Sequence, residues 1–187
     1  MKILLINNHT VHLDSLSEAL AGHEVEMQVY RPGLEFNDHD KDLVILSGGG
    51  GEGLEIYDLV RRGKLRYEDE MKYVLSSNKP ILGICMGFEV IASAFGQKIN
   101  YTPAITQGLF DITPTGQGKK RLSRNKLQQY ESHYWHLHQA PKDFEVLGES
   151  KTGIEIIRHK QKPILATQFH PEKGGTVTLT NLLKASY

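Results

Sequence analysis

The stretch Pro80-Ile81-Leu82-Gly83-Ile84-Cys85-Met86-Gly87-Phe88-Glu89 constrains this chain more than any other. Ile81, Leu82 and Ile84 read as a short strand buried on both faces, with Pro80 marking its start. Val90, Ile91, Ala94 and Phe95 then recur at helical spacing, so the strand must turn into a helix at Cys85. Gly83 and Gly87 supply the freedom that so sharp a turn needs. The same elbow presents the serine in Gly-x-Ser-x-Gly proteins. Here it would hold a thiol at a helix N-terminus, where the partial positive charge favours the thiolate. On that ground Cys85 is expected to be exposed and unusually acidic. A lone cysteine also serves as a small buried hydrophobe, so the elbow by itself leaves both roles open.

The flanking chain supplies a sheet for that elbow. Residues 3–6 and 43–46 are continuous apolar runs of the kind found in parallel sheets. Val25, Met27 and Val29 alternate with polar residues, as a more exposed strand does. Helical patterns fill residues 14–21, a segment around 56–60, and residues 68–75. Strands alternating with helices predict an α/β fold with its site at the strand C-terminal edge. Residues 96–118 read as short strands and loops, and Lys119-Lys120-Arg121 as a solvated basic corner. Residues 144–147, 153–157 and 163–167 are three further strands, forming an antiparallel or mixed part appended to the first half. Residues 176–183 close the chain as a helix. No repeat, linker or low-complexity segment divides residues 1–187, which are read as a single domain.

Composition narrows the partners. Lysine plus arginine number 22 and so do aspartate plus glutamate, which gives no electrostatic case for nucleic acid or an acidic membrane. The first apolar run is too short for a secretory core, and no later one approaches a membrane span. One cysteine makes no internal disulfide, in keeping with a reducing cytoplasm.

Near the C-terminus, Gln168-Phe169-His170-Pro171-Glu172 offers a base for the thiol. Side chains two apart in an extended segment share a side, so Glu172 can reach the His170 ring, while Pro171 keeps His170 out of the helical region. A carboxylate there fixes the imidazole tautomer and steadies its charged form, as the third member of a nucleophile–base–orienter triad does. The glycine loop at residues 47–53 lacks both the P-loop ending and the Gly-x-Gly-x-x-Gly spacing. Its backbone N–H groups could instead form half of an oxyanion hole beside Cys85. His133-Tyr134-Trp135-His136-Leu137-His138 invites a zinc reading, but lacks convergent ligands and is read as a loop beside the site. Asn7-Asn8-His9-Thr10 lies at the same edge with no readable role.

Taken together, Gly-Ile-Cys-Met-Gly around Cys85 and Gln-Phe-His-Pro-Glu around His170 resemble the class I glutamine amidotransferases. The resemblance runs over essentially the whole chain, and the glycine loop falls where that family has a Ser-Gly-Gly segment. It implies a flavodoxin-like three-layer α/β fold and a Cys85, His170 and Glu172 triad that hydrolyses L-glutamine to glutamate and ammonia. It further implies oxyanion donors at Gly49 and Met86, and glutamine-holding residues at Ser132 and His133. No metal or organic cofactor is implied, and the expected partner is a separate synthase chain that takes up ammonia. Two branches are open, one like the GMP synthetase glutaminase and one like the glutaminase of anthranilate synthase. The chain departs from the family at Glu89, where glutamine is usual, and at Gly50, where proline is usual. Glu89 would stand one helical turn beyond Cys85, on the substrate side. A stand-alone γ-glutamyl hydrolase and a non-catalytic, partner-binding regulator remain alternatives.

Overall fold

The computed structural model describes residues 1–49 and 67–185. The helix expected around residues 56–60 and the glycine loop beyond Gly49 lie outside the described residues. Along the chain run β1 (Lys2–Asn7), α1 (Leu13–Ala19), β2 (Glu24–Val29), β3 (Leu43–Leu46), α2 (Glu68–Ser76), β4 (Ile81–Ile84) and α3 (Met86–Ala94). The second half adds β5 (Asn100–Pro114), α4 (Gly116–Leu122), β6 (Leu127–His136), β7 (Phe144–Glu149), β8 (Ile154–His159), β9 (Ile164–Thr167), a 3₁₀ turn (Pro171–Lys173) and α5 (Leu179–Ala185).

These strands form a nine-stranded mixed sheet in the order β2-β1-β3-β4-β9-β8-β7-β5-β6. From β2 to β9 neighbours are parallel, and from β9 to β6 they are antiparallel. The four strands β1, β3, β4 and β9 are apolar because helices cover both of their faces. Leu4, Ile6, Val44, Leu46 and Ile81 pack with Val74 of α2 and Phe88 and Ile91 of α3. The alternate residues Ile3, Leu5, Leu43, Ile45 and Leu82 pack instead with Leu16 of α1 and Leu179 and Leu182 of α5. The result is three layers, as expected for an α/β fold.

The second half differs from its sequence reading in register and length. Residues 100–114 form one 15-residue strand where the sequence predicts short strands and loops. Its pairing with β6 shifts register between Tyr101 and Thr106, and this irregularity accommodates Pro103, while Gly108 pairs in regular register with Glu131. The histidine-rich stretch is strand β6 through His136, with Leu127, Gln129, Glu131, His133 and Trp135 turned inward. Lys119, Lys120 and Arg121 occupy the last turn of α4, where cations complement the helix dipole, and Arg121 Nε lies 3.2 Å from a Glu145 carboxylate oxygen. The final helix begins at Leu179, a little later than expected. Among the described residues no helix is long and apolar enough to cross a membrane.

One buried acid sets a pH dependence for this fold. Glu70 on α2 is fully buried, and burial pushes its pKa up to about 8 against the weaker opposing effect of the Asn8 amide. A carboxyl whose folded pKa is raised stabilises the fold at low pH and loses that contribution as pH climbs from about 4.5 to about 8. Glu70→Gln removes the ionisation. Its melting temperature should therefore rise above wild type across this range, by about 6–12 °C at alkaline pH for a gain on the order of 3 kcal/mol. Thermal melts of both proteins at acid and alkaline pH check this. Parallel curves would show that Glu70 ionises without cost.

Candidate active site

Strand pairing delivers the site residues to one edge. Leu46 pairs with Gly83 and Ile84 with Thr167, so the segments beginning at Ser47, Cys85 and Gln168 leave the sheet side by side. Cys85 sits at the turn into α3 with φ 49° and ψ −100°, a conformation costly for a residue with a side chain. Its N–H donates to the Thr167 carbonyl at 2.8 Å, its carbonyl accepts from Glu89 N–H at 3.1 Å, and Gly87 N–H donates to the Ser47 carbonyl at 3.2 Å. The glycine frame is a matter of contact distance. A Cβ on Gly87 would lie 2.2 Å from the Leu46 carbonyl oxygen, and one on Gly83 would lie 2.8 Å from the Gly87 backbone.

Around the thiol, Gly48 is wedged between His170 and Cys85. A Cβ added to it would meet His170 Cε1 at 3.0 Å and Cys85 Cβ at 3.6 Å. Gly49 packs so closely on Met86 that a Cβ would meet its Cε at 2.2 Å. His170 Nδ1 donates to Glu172 Oε1 at 2.8 Å, both side chains being buried. The segment is extended only as far as His170; Pro171 opens a 3₁₀ turn, and Glu172 reaches back from within that turn. His170 N–H is itself anchored on the Tyr130 carbonyl of β6 at 2.8 Å. One pocket is lined by Gly49, Cys85, Met86, Glu89, Ser132, His133 and His170, so every expected site residue except Glu172 borders it, and Glu172 stands directly behind His170.

Two expectations about this site need correction. Cys85 is not exposed: only 7 % of it is accessible. Nor is its thiol acidified in the resting protein. Burial pushes its pKa well up, the carboxylates of Glu89 and Glu172 push it further, and the Met86 N–H only partly opposes them. The hydrogen bond from the Met86 N–H at the helix start is a smaller effect than loss of water around the sulfur. Glu89, the departure from the family pattern, is itself buried, and its pKa is pushed up to about 7 by burial against the opposing hydrogen bond from Gln168 Nε2 at 3.0 Å.

His133 borders the pocket but spends both ring nitrogens internally, Nδ1 donating to the Trp135 carbonyl at 2.8 Å and Nε2 facing Glu131. Beside it, the Ser132 carbonyl lies 3.8 Å from Cys85 Sγ and accepts from the thiol. Several neighbours are not singled out by the sequence. His12 sets its ring edge-on to His170 with centroids 4.6 Å apart, and Ile105 completes the pocket wall beside Trp135 of the histidine-rich stretch. Gln168 sits within the histidine motif and carries a sequence signal; the others become neighbours of Cys85 only through folding.

The family model for glutamine amidotransferase class-I matches residues 4–187. Among curated relatives, the glutamine-hydrolyzing GMP synthase subunit of Pyrococcus abyssi is 39 % identical over 102 residues, 53 % of this chain and 54 % of the relative. Anthranilate synthase component 2 of Thermococcus kodakarensis is 32 % identical over 135 residues, 71 % of this chain and 66 % of the relative. The chain thus spans little more than half of the first relative and just under two thirds of the second. In fold it is similar to a candidate GMP synthase subunit from Thermoplasma acidophilum, with a TM-score of 0.81 at 23 % identity, covering 100 % of this chain and 92 % of the other. With the family model matched from the first strand to the C-terminus, this chain belongs to the class I glutamine amidotransferases.

Proposed function

We propose that this chain is a glutaminase subunit that hydrolyses L-glutamine and passes the ammonia to a separate synthase. The observation that carries the reading is the Glu172–His170 pair beside the strained Cys85 elbow, with Gly49 and Met86 across the same pocket. In this reading Cys85 Sγ gives its proton to His170 and attacks the glutamine γ-carboxamide carbon. The N–H groups of Gly49 and Met86 receive the oxyanion. The C–N bond breaks as His170 protonates the departing nitrogen, leaving a glutamyl thioester. His170 then takes a proton from water, whose oxygen displaces the thiol and releases glutamate. Glu172 keeps the His170 ring oriented and steadies its charged form. Ser132 and His133 border the substrate, and the Glu89 carboxylate suits its α-ammonium group. No step calls for a metal or an organic cofactor.

The high resting pKa of Cys85 fits a thiol that is deprotonated only as it attacks. Ammonia is useful where an acceptor captures it, which favours a partner synthase. The relatives drawn from GMP synthase favour a partner of that kind over an anthranilate synthase one. The lone, unpaired cysteine suits the cytoplasm, and the family match over residues 4–187 supports reading the chain as one domain.

The test is ammonia release from glutamine, with and without candidate synthase chains. A γ-glutamyl hydrolase would turn over glutamyl peptides in preference to glutamine, and a regulator would turn over neither. Glu172→Gln should lower kcat by about 10²- to 10⁴-fold with KM near wild type, because an orienting charge is lost and binding contacts are not. A raised KM at unchanged kcat would make Glu172 a binding residue.

A further inference from the structure

Behind the pocket wall, Glu131 and His133 of β6 converge with Glu155 of β8, their ligand atoms all within 4.8 Å of one another. All three are buried, at 0 %, 4 % and 1 % exposure. Their hydrogen bonds fix where protons must be. His133 Nδ1 faces the Trp135 carbonyl at 2.8 Å, which can only accept, so Nδ1 carries hydrogen. His133 Nε2 faces Glu131 Oε2. Glu155 Oε1 accepts from Ser150 Oγ at 2.7 Å and from Thr152 Oγ1 at 3.1 Å. That leaves Glu131 Oε1 and Glu155 Oε2, two buried acceptors with no partner, on carboxyl groups that bring an oxygen of each within 4.8 Å of the other. Two such oxygens need a hydrogen between them.

A consistent assignment makes Glu155 the acid, donating from Oε2 to Glu131 Oε1. Glu131 then accepts a second hydrogen from a doubly protonated His133. The cluster is neutral as a whole and every buried polar atom in it is paired. A metal ion would satisfy the same oxygens, but the direct Glu131–His133 contact leaves it no room between those two ligands.

We propose that Glu131, His133 and Glu155 are positioning residues, a neutral proton-sharing cluster that holds β6 and the segment after β9 in register on either side of Cys85. Both strands of the cluster reach the site through backbone bonds. Tyr130 and Ser132, flanking Glu131, offer the carbonyls that accept from His170 N–H at 2.8 Å and from the Cys85 thiol at 3.8 Å. The Glu155 carbonyl accepts Gln168 N–H at 2.9 Å, and Gln168 in turn holds Glu89. Titratable groups that face the cluster are His136 on β6, His170 after β9, and Glu89 and Cys85 at the start of α3. Deprotonating Glu155 would set two carboxylates against each other and part the strands. Burial and the neighbouring Glu131 both resist that deprotonation.

The kinetic part of this proposal rests on the glutaminase reading; the spectroscopic part does not. The experiment compares full-length wild type with Glu155→Gln and Glu155→Ala. In the glutamine variant the amide N–H can donate to Glu131 while its oxygen still accepts from Ser150 and Thr152. It should keep kcat within about threefold of wild type and lose an alkaline limb that wild type shows. The alanine variant should lose about 10- to 100-fold in kcat at little change in KM, as expected for a misplaced base. In ¹⁵N spectra of histidine-labelled wild type, His133 should show both nitrogens protonated at neutral pH. A neutral His133 in wild type, or equal loss in the glutamine and alanine variants, would overturn the cluster. If wild type releases no ammonia with any synthase, the glutaminase reading fails, and the His133 signal alone decides the cluster.

Discussion

Cys85→Ala should leave the chain folded while lowering glutamine hydrolysis by at least about 10⁴-fold. The sulfur makes only weak polar contacts in the resting protein, with the Met86 N–H, the Ser132 carbonyl at 3.8 Å and Gln168 Nε2 at 4.0 Å. The turn is held instead by backbone bonds to Thr167 and Glu89, which alanine keeps. Ammonia release and a thermal melt give the two halves of this result. A glutamine-shaped diazoketone should add one equivalent to wild type at Cys85 and none to the variant. Turnover by the variant above about 1 % of wild type would take the thiol out of the chemistry.

Gly87→Ala should cost about 3 kcal/mol of stability, together with a loss of activity. The new methyl would stand 2.2 Å from the Leu46 carbonyl oxygen and 2.9 Å from its carbon, both backbone atoms. Strand β3 cannot move aside, because Leu46 is paired with Ile6 on one side and Gly83 on the other. Helix α3 must then lift from the sheet, carrying Cys85 away from Gly48 and His170. Denaturant melts with a parallel glutaminase assay test both effects. A variant that melts like wild type would show that α3 has room to give.

The first half of this fold is legible in the sequence because its physics is local. Strands buried on both faces leave continuous apolar runs at residues 3–6 and 43–46, and glycines mark the elbow around Cys85. The second half is harder. Strand β5 carries Pro103, Gly108 and Pro114, which read as loop; a register shift against β6 absorbs Pro103, while Gly108 pairs with Glu131 and Pro114 with Gly148 of β7. In β6, Glu131, His133 and Trp135 turn inward although the stretch from His133 reads as a loop beside the site, since their convergence with the buried Glu155 depends on a strand far away in sequence. The same limit applies to the site. His170 and Glu172 lie two residues apart and can be paired by eye, whereas their approach to Cys85 needs β4 and β9 to be neighbours. The burial of Cys85 escapes a sequence reading for a related reason. A motif locates a helix terminus, but not the Ser132 strand that closes over it.

That closure has a consequence for oxidative damage. Peroxide attacks thiolates that water can reach, and Cys85 at rest is neither ionised nor open. In the proposed mechanism its sulfur becomes a thiolate only as His170 takes the proton. On that mechanism, vulnerability to sulfenic acid formation is coupled to turnover: the idle protein should keep its single thiol intact through an oxidant pulse that inactivates a working one.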